Sequence, residues 1–300
     1  MTPDPADDPR SEEEVARLCA EQMWSGDLAS KALGMDEGFG PGYHFSEDAG
    51  AVVGAGELAR VIIRNPFRDD VAIPVDEARL LDAATEAALT QKLRDGQVIG
   101  VDMSPRFVAH LQARAAANGV TNVSVEVQDV TELAFPPESF DGAYARWVLT
   151  FVRRPESVIA RAAKALKRGG RLVVHDYSHY AAFQLAPEDP AVHRVVAAIV
   201  ASWRDGGGDP NVVTRLPRMM HDAGLEVVSI TPIARVARPG DALWQWPRTF
   251  FDNFLPQLVQ NGYLAEDERQ AFDAVWAARD ADPGAWLATP PMVEVVGVRR

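Results

Sequence analysis

The stretch Gln97-Val-Ile-Gly-Val-Asp102-Met-Ser-Pro105 decides the fold. Val98 to Val101 is a short apolar run that closes on an acid, which reads as a buried strand. Ser104 then caps a helix that runs to Asn118-Gly119, a good C-terminal stop. In a doubly wound α/β sheet a carboxylate at a strand's carboxyl end can take both hydroxyls of a ribose. Asp102 is therefore the first candidate binding residue.

Alternating strands and helices extend from this unit in both directions. Upstream, Ala78 to Asp82 is a short strand candidate and Thr85 to Leu93 a helix. Downstream, Val123-Ser-Val-Glu-Val127 alternates as a strand, and Phe140 to Tyr144 starts another. Pro155 to Leu166 reads as a helix stopped by Lys167-Arg-Gly-Gly170, followed by the buried strand Arg171 to His175. Leu225 to Ile230 and Met292 to Val298 are further strands, with a helix around 191–204, another at 216–223, and aromatic-rich helices near 241–260 and 265–281. Repeated units of this length predict an α/β fold with a doubly wound, mostly parallel sheet and a helical lid inserted before the last strand. The expected organisation is a tail and helical segment over 1–70, a core over 71–234, a lid over 235–291 and the core's last strand over 292–300.

Composition narrows the function classes. A net charge of −13 and a pI near 4.9 argue against a nucleic-acid or anionic-membrane surface, which needs clustered Lys and Arg. Cys19 is the single cysteine, so no intrachain disulfide and no cysteine-rich zinc site is expected. No apolar run approaches the roughly 18 residues of a membrane span. The acidic, proline-rich start Met1-Thr-Pro-Asp-Pro is not that of a signal peptide, and a reducing cytoplasm fits.

From Gly96 to Asp176 the chain resembles the class I S-adenosylmethionine (SAM) dependent methyltransferases, on four motifs in family order. Val98-Ile-Gly-Val-Asp102 resembles the second strand, whose acid holds the ribose. Val127-Gln-Asp129-Val130 resembles the end of the third, where an Asp accepts from the adenine amino group. Phe140 to Leu149, with Arg146 and Trp147, resembles the fourth strand and the turn beside the methyl group. Leu166-Lys-Arg-Gly-Gly-Arg-Leu-Val-Val resembles the glycine turn into the fifth. The resemblance implies SAM as cofactor, with Asp82, Asp102, Met103, Gln128, Asp129, Val130 and Arg146 binding it. Its place at the carboxyl end of the fifth strand makes His175 the candidate base, and Trp147, Tyr177, Trp244 and Phe251 are candidates on the side of a small, partly apolar acceptor. His175 has an equally good reading as a buried histidine satisfied by its neighbours, and at helical spacing Trp244 and Phe251 also read as packing.

The family's first loop, an acid followed by Gly-x-Gly-x-Gly, has no counterpart. The matching stretch Leu80-Leu81-Asp82-Ala83-Ala84-Thr85 contains no glycine, and none follows until Gly96. Glycine is needed there because a Cβ would collide with the ligand. Either the loop is deleted or the first strand lies elsewhere. Upstream, Ala51-Val-Val-Gly54-Ala-Gly56 looks like a dinucleotide fingerprint but lacks the third glycine, and reads as loop and helix start. Val15 to Met35, opened by Ser11-Glu-Glu-Glu14, resembles the leading segment of phenylacetyl-CoA type hotdog thioesterases. The His-Gly-Gly type turn of that family is missing, and an amphipathic helix with Val15, Leu18, Met23 and Leu28 inward is the preferred reading. Three functions follow in order: methyl transfer from SAM, a methyltransferase relic unable to bind SAM, and a CoA-thioester hydrolase.

Overall fold

The computed structural model describes residues 62–64, 97–117 and 121–300. The helices expected over 11–35 and 85–93, the glycine pair at 54 and 56, and the strand expected at Ala78–Asp82 lie outside these residues.

Among the described residues seven strands form the main sheet: β1 (Ile62–Arg64), β2 (Val98–Asp102), β3 (Val123–Val127), β4 (Phe140–Arg146), β5 (Leu166–Tyr177), β7 (Leu225–Ile233) and β10 (Met292–Arg299). Their spatial order is β3-β2-β1-β4-β5-β10-β7. The first five named in that order run parallel, while β10 is antiparallel to both β5 and β7. This bears out the mixed, mostly parallel sheet. Ile62–Arg64 lies between β2 and β4, and the strand expected at Ala78–Asp82 is outside the described residues.

The helices between strands are α1 (Pro105–Ala117), α2 (Pro155–Ala165), α3 (Pro190–Asp205), α4 (Leu216–Asp222), α5 (Ala242–Gln260) and α6 (Glu266–Asp280). α2 begins on Pro155, whose missing N–H falls where a helix has no internal acceptor, and it buries Val158, Ile159, Ala162 and Ala163. The glycine turn after it is a bulge at the start of β5. Gly169 has φ +79°, and the register against β4 shifts between Phe140 and Gly142. A Cβ on Gly170 would lie 2.8 Å from the Lys167 carbonyl oxygen, so glycine is required for the chain to re-enter the sheet.

A second sheet, β6 (Gln184–Ala186), β9 (Trp286–Ala288) and β8 (Val236–Ala237), ties the ends of the α5–α6 insertion to the segment after β5. Leu185, Ala237 and Leu287 bury its inner side. One continuous apolar core joins the sheet to the lid, from Val98 and Leu166 through Val195 and Ile199 to Trp244 and Phe272.

Candidate active site

The strand order reverses at β1, so the crevice at the carboxyl ends of β1, β2 and β4 is where a doubly wound sheet binds its ligand. Asp102 ends β2 there and is buried at 6% exposure. Its Oδ1 accepts the Ser104 N–H at 2.7 Å, which fixes the carboxylate against the start of α1. The Gln128 N–H donates to the Asp102 carbonyl at 2.9 Å and draws the end of β3 to the end of β2.

Around this acid Met103 is 41% exposed, whereas Val130 is fully buried beneath the turn after β3. The Asp129 Oδ1 accepts from the Thr131 N–H (2.8 Å) and the Thr131 hydroxyl (2.7 Å), capping that turn. The Gln128 amide donates to Glu126 at 2.6 Å. A buried acid next to an exposed Met103 side chain could hold an adenosine: a carboxylate matches the ribose hydroxyls and the methionine offers an apolar surface to the base. Asp82, expected beside them, lies outside the described residues.

Sheet register places the remaining candidates on one face. Arg146 lies opposite His175, and His175 opposite Glu294; Tyr144 lies opposite Val173, and Tyr177 opposite Met292. His175 has no exposed surface. Its Nε2 lies 2.6 Å from the Glu294 carboxylate and its Nδ1 3.2 Å from the Tyr144 hydroxyl. Burial holds its pKa below the ordinary value, against the pull of Glu294 and with help from the nearby Arg146 cation. The neutral ring then donates from Nε2 to Glu294 and accepts the tyrosine proton at Nδ1, a tautomer assigned from this network. A ring so enclosed cannot reach an acceptor, so the expected base is corrected to a buried histidine satisfied by its neighbours.

Its main chain has a different use. The Trp147 N–H donates to the His175 carbonyl at 3.0 Å, and Trp147 has φ +51°, a left-handed conformation rare for a bulky residue. The indole is held by several contacts: Nε1 donates to Met292 Sδ at 3.1 Å, Tyr177 stacks at 6.0 Å, Trp246 stacks at 5.3 Å, and the Arg146 guanidinium lies 4.0 Å from the ring centroid. Backbone strain of this kind persists only where the surroundings over-determine it, and it collects at functional sites.

Asp176 faces the opposite way. It accepts the Thr150 N–H at 3.1 Å and the Tyr177 N–H at 2.9 Å, and it also accepts from the Thr150 hydroxyl. Burial raises its pKa to about 6, against these hydrogen bonds. Trp244 and Phe251, expected on the acceptor side, are corrected to lid packing. Trp244 is fully buried, donates to Asp280 at 2.6 Å and packs on Trp276; Phe251 packs among Phe183, Phe272 and Trp276. Glu294, Met292 and Trp246 were not expected in the site. Glu294 had a signal, an acid in the middle of the apolar run Met292 to Val298.

Residues 82–174 match the family model described as a methyltransferase domain. This stretch of the chain is similar to a methyltransferase domain. The chain is 32% identical over 177 residues to an uncharacterized 37.1 kDa protein in transposon TN4556 of Streptomyces fradiae, covering 56% of this chain and 50% of that one. It is 28% identical over 138 residues to an arsenite methyltransferase of Halobacterium salinarum, covering 46% and 33% respectively. The chain thus spans half or less of these relatives' lengths. A solved structure of geranyl diphosphate methyltransferase in complex with SAM overlays with a TM-score of 0.49 and 16% identity, over 98% of this chain and 93% of that one. The match to the methyltransferase domain begins at Asp82, downstream of β1. Among the described residues no group of three or more His, Cys, Asp or Glu is placed to hold a metal ion, and no helix is long and apolar enough to cross a membrane.

Proposed function

We propose that this chain transfers a methyl group from SAM to a small, partly apolar acceptor. The observation that carries the reading is Asp102, a buried acid anchored to the start of α1 at the carboxyl end of β2, beside the point where the strand order reverses. Asp102 would hold the ribose hydroxyls. Met103 would face the adenine, with Gln128 and Asp129 at its edge, and Arg146 would lie toward the methionine end. SAM supplies an electrophilic methyl group, and the chain's task is to align the acceptor and exclude water.

The aromatic groups at the ends of β4 and β5 suit that task. Trp147, Tyr177, Tyr180 and Trp203 pack ring to ring beneath α5 and bury nearly all their surface. Their environment is apolar with few polar tips, as in most small-molecule sites. Incubating the chain with SAM labelled on its methyl group and a panel of phenols, thiols and amines tests the proposal. Transfer to any of them that is lost in Asp102→Ala supports it.

A second reading has its own observation. No glycine occurs between Arg64, the end of β1, and Gly96. A loop without glycine keeps its backbone farther from a ligand, and a fold of this type can outlive its cofactor. In that case the folded chain would bind no SAM and transfer nothing.

A further inference from the structure

Two tryptophans, two residues apart on α5, do different work. Trp244 anchors the lid: it is fully buried, bonded to Asp280 and packed on Trp276 within the α5–α6 pair. Trp246 reaches the other way. It is only partly buried and lies nearly parallel to Trp147, with centroids 5.3 Å apart and planes 12° apart. Removing Trp246 therefore leaves the packing within the lid in place and opens the surface of Trp147.

Trp147 is held as a platform would be. Its strained backbone is fixed to β5, its Nε1 is fixed to β10, and Tyr177 stacks beside it. It stands at the end of β4, the strand next to the reversal of strand order. A rigid indole in that place offers a flat apolar face where an acceptor must sit to meet the methyl group.

Charge limits what the ring stacked there can be. The Arg146 guanidinium already lies 4.0 Å from the Trp147 centroid, taking the cation–π interaction and repelling a second cation. Glu294, on the face of the sheet that carries Arg146, is engaged by His175, and Asp176, on the opposite face, is engaged by Thr150 and Tyr177. Neither is placed to pair with an ammonium group.

We propose that Trp147 is the stacking platform for a planar, neutral or anionic ring acceptor, which takes the seat held here by the indole of Trp246. This deepens the methyl-transfer reading but is measured without SAM. A chain that stacks the ring and does not bind SAM would sink the activity and leave the platform standing.

The probe is 2-naphthol, titrated calorimetrically into the full chain, with phenyltrimethylammonium as the cationic counterpart. An aromatic pair is worth enough to shift affinity several-fold, on the order of tenfold at most. Trp246→Ala is expected to tighten 2-naphthol binding by that factor, because the ligand no longer displaces an indole. Trp244→Ala also opens a void in α5 but away from the platform, and is expected to bring no gain. In the double variant Trp246→Ala/Trp147→Leu the gain disappears. Phenyltrimethylammonium is expected to bind on the order of tenfold or more weaker than 2-naphthol. The proposal is overturned if Trp246→Ala leaves 2-naphthol binding unchanged or weaker. It is also overturned if Trp244→Ala gains equally, or if the ammonium probe binds as well. Should the double variant fail to fold, the comparison of Trp246→Ala with Trp244→Ala still decides.

Discussion

Replacing His175 with alanine separates a structural histidine from a catalytic one. In the native fold Glu294 is 2% exposed and its carboxylate has the His175 Nε2 at 2.6 Å, while the Tyr144 hydroxyl has Nδ1 at 3.2 Å. His175→Ala removes both partners at once and leaves a buried carboxylate without its donor. Leaving a buried acceptor without its donor costs about 1–3 kcal/mol. For a domain of this size each kcal/mol moves the melting temperature by roughly 2–4 °C, so a fall of roughly 2–12 °C is expected by calorimetry. Glu294→Gln keeps an oxygen that can accept the Nε2–H, and its cost is expected at about 1 kcal/mol or less. If His175→Ala melted within about 2 °C of the parent chain and lost only turnover, the structural assignment would be refuted and a catalytic base restored.

Two buried groups give stability opposite slopes with pH. The Asp176 carboxyl is raised from 3.8 to about 6, so the native state holds that proton more tightly than the unfolded chain. Its contribution is complete below pH 3.8 and is lost as pH rises through about 6, some ~3 kcal/mol for a shift of about two units. His175 is lowered from 6.5, so its contribution is present above pH 6.5 and falls on acidification. Urea unfolding across pH 4–8 is expected to show both slopes in the parent chain, and the His175 slope alone in Asp176→Asn. Gly208→Ala drives a Cβ to 2.3 Å from the Thr150 carbonyl oxygen and 3.1 Å from that of Trp203. Both are backbone atoms that cannot swing aside, so a loss of about 1–3 kcal/mol in the urea midpoint analysis is expected.

Much of the fold was legible because its strands are short apolar runs with clear stops. Val98–Asp102 and Val123–Val127 fall where the pattern puts them, and β10 extends the expected Met292–Val298 run by one residue. The bulge at Gly169 and Gly170 was visible as a helix stop but not as part of β5, because the shift of register depends on the neighbouring strand. The strand at Ile62–Arg64 was not legible, for a physical reason. Three residues carry too little periodicity to mark a strand, and only pairing with β2 and β4 reveals it.

The place of Asp102 at the end of β2 was legible because an acid closing an apolar strand is a local signal. The roles of His175, Trp244 and Phe251 were not. Whether a histidine or an aromatic faces a ligand or a neighbour depends on residues more than a hundred positions away or on another helix. Glu294 meets His175 across two strands, and Trp244 meets Asp280 across the lid. The division of labour between Trp244 and Trp246 is likewise invisible in helical spacing, which sets angle around α5 but not what each face meets.

Calorimetric titration of the purified chain with SAM and with its demethylated product, repeated on Asp102→Ala, tests the central claim most directly. The expected result is saturable binding of both ligands that is lost in the variant, while the variant keeps its melting transition. A folded parent chain that binds neither ligand would contradict the claim, and the methyltransferase fold would then describe descent without activity.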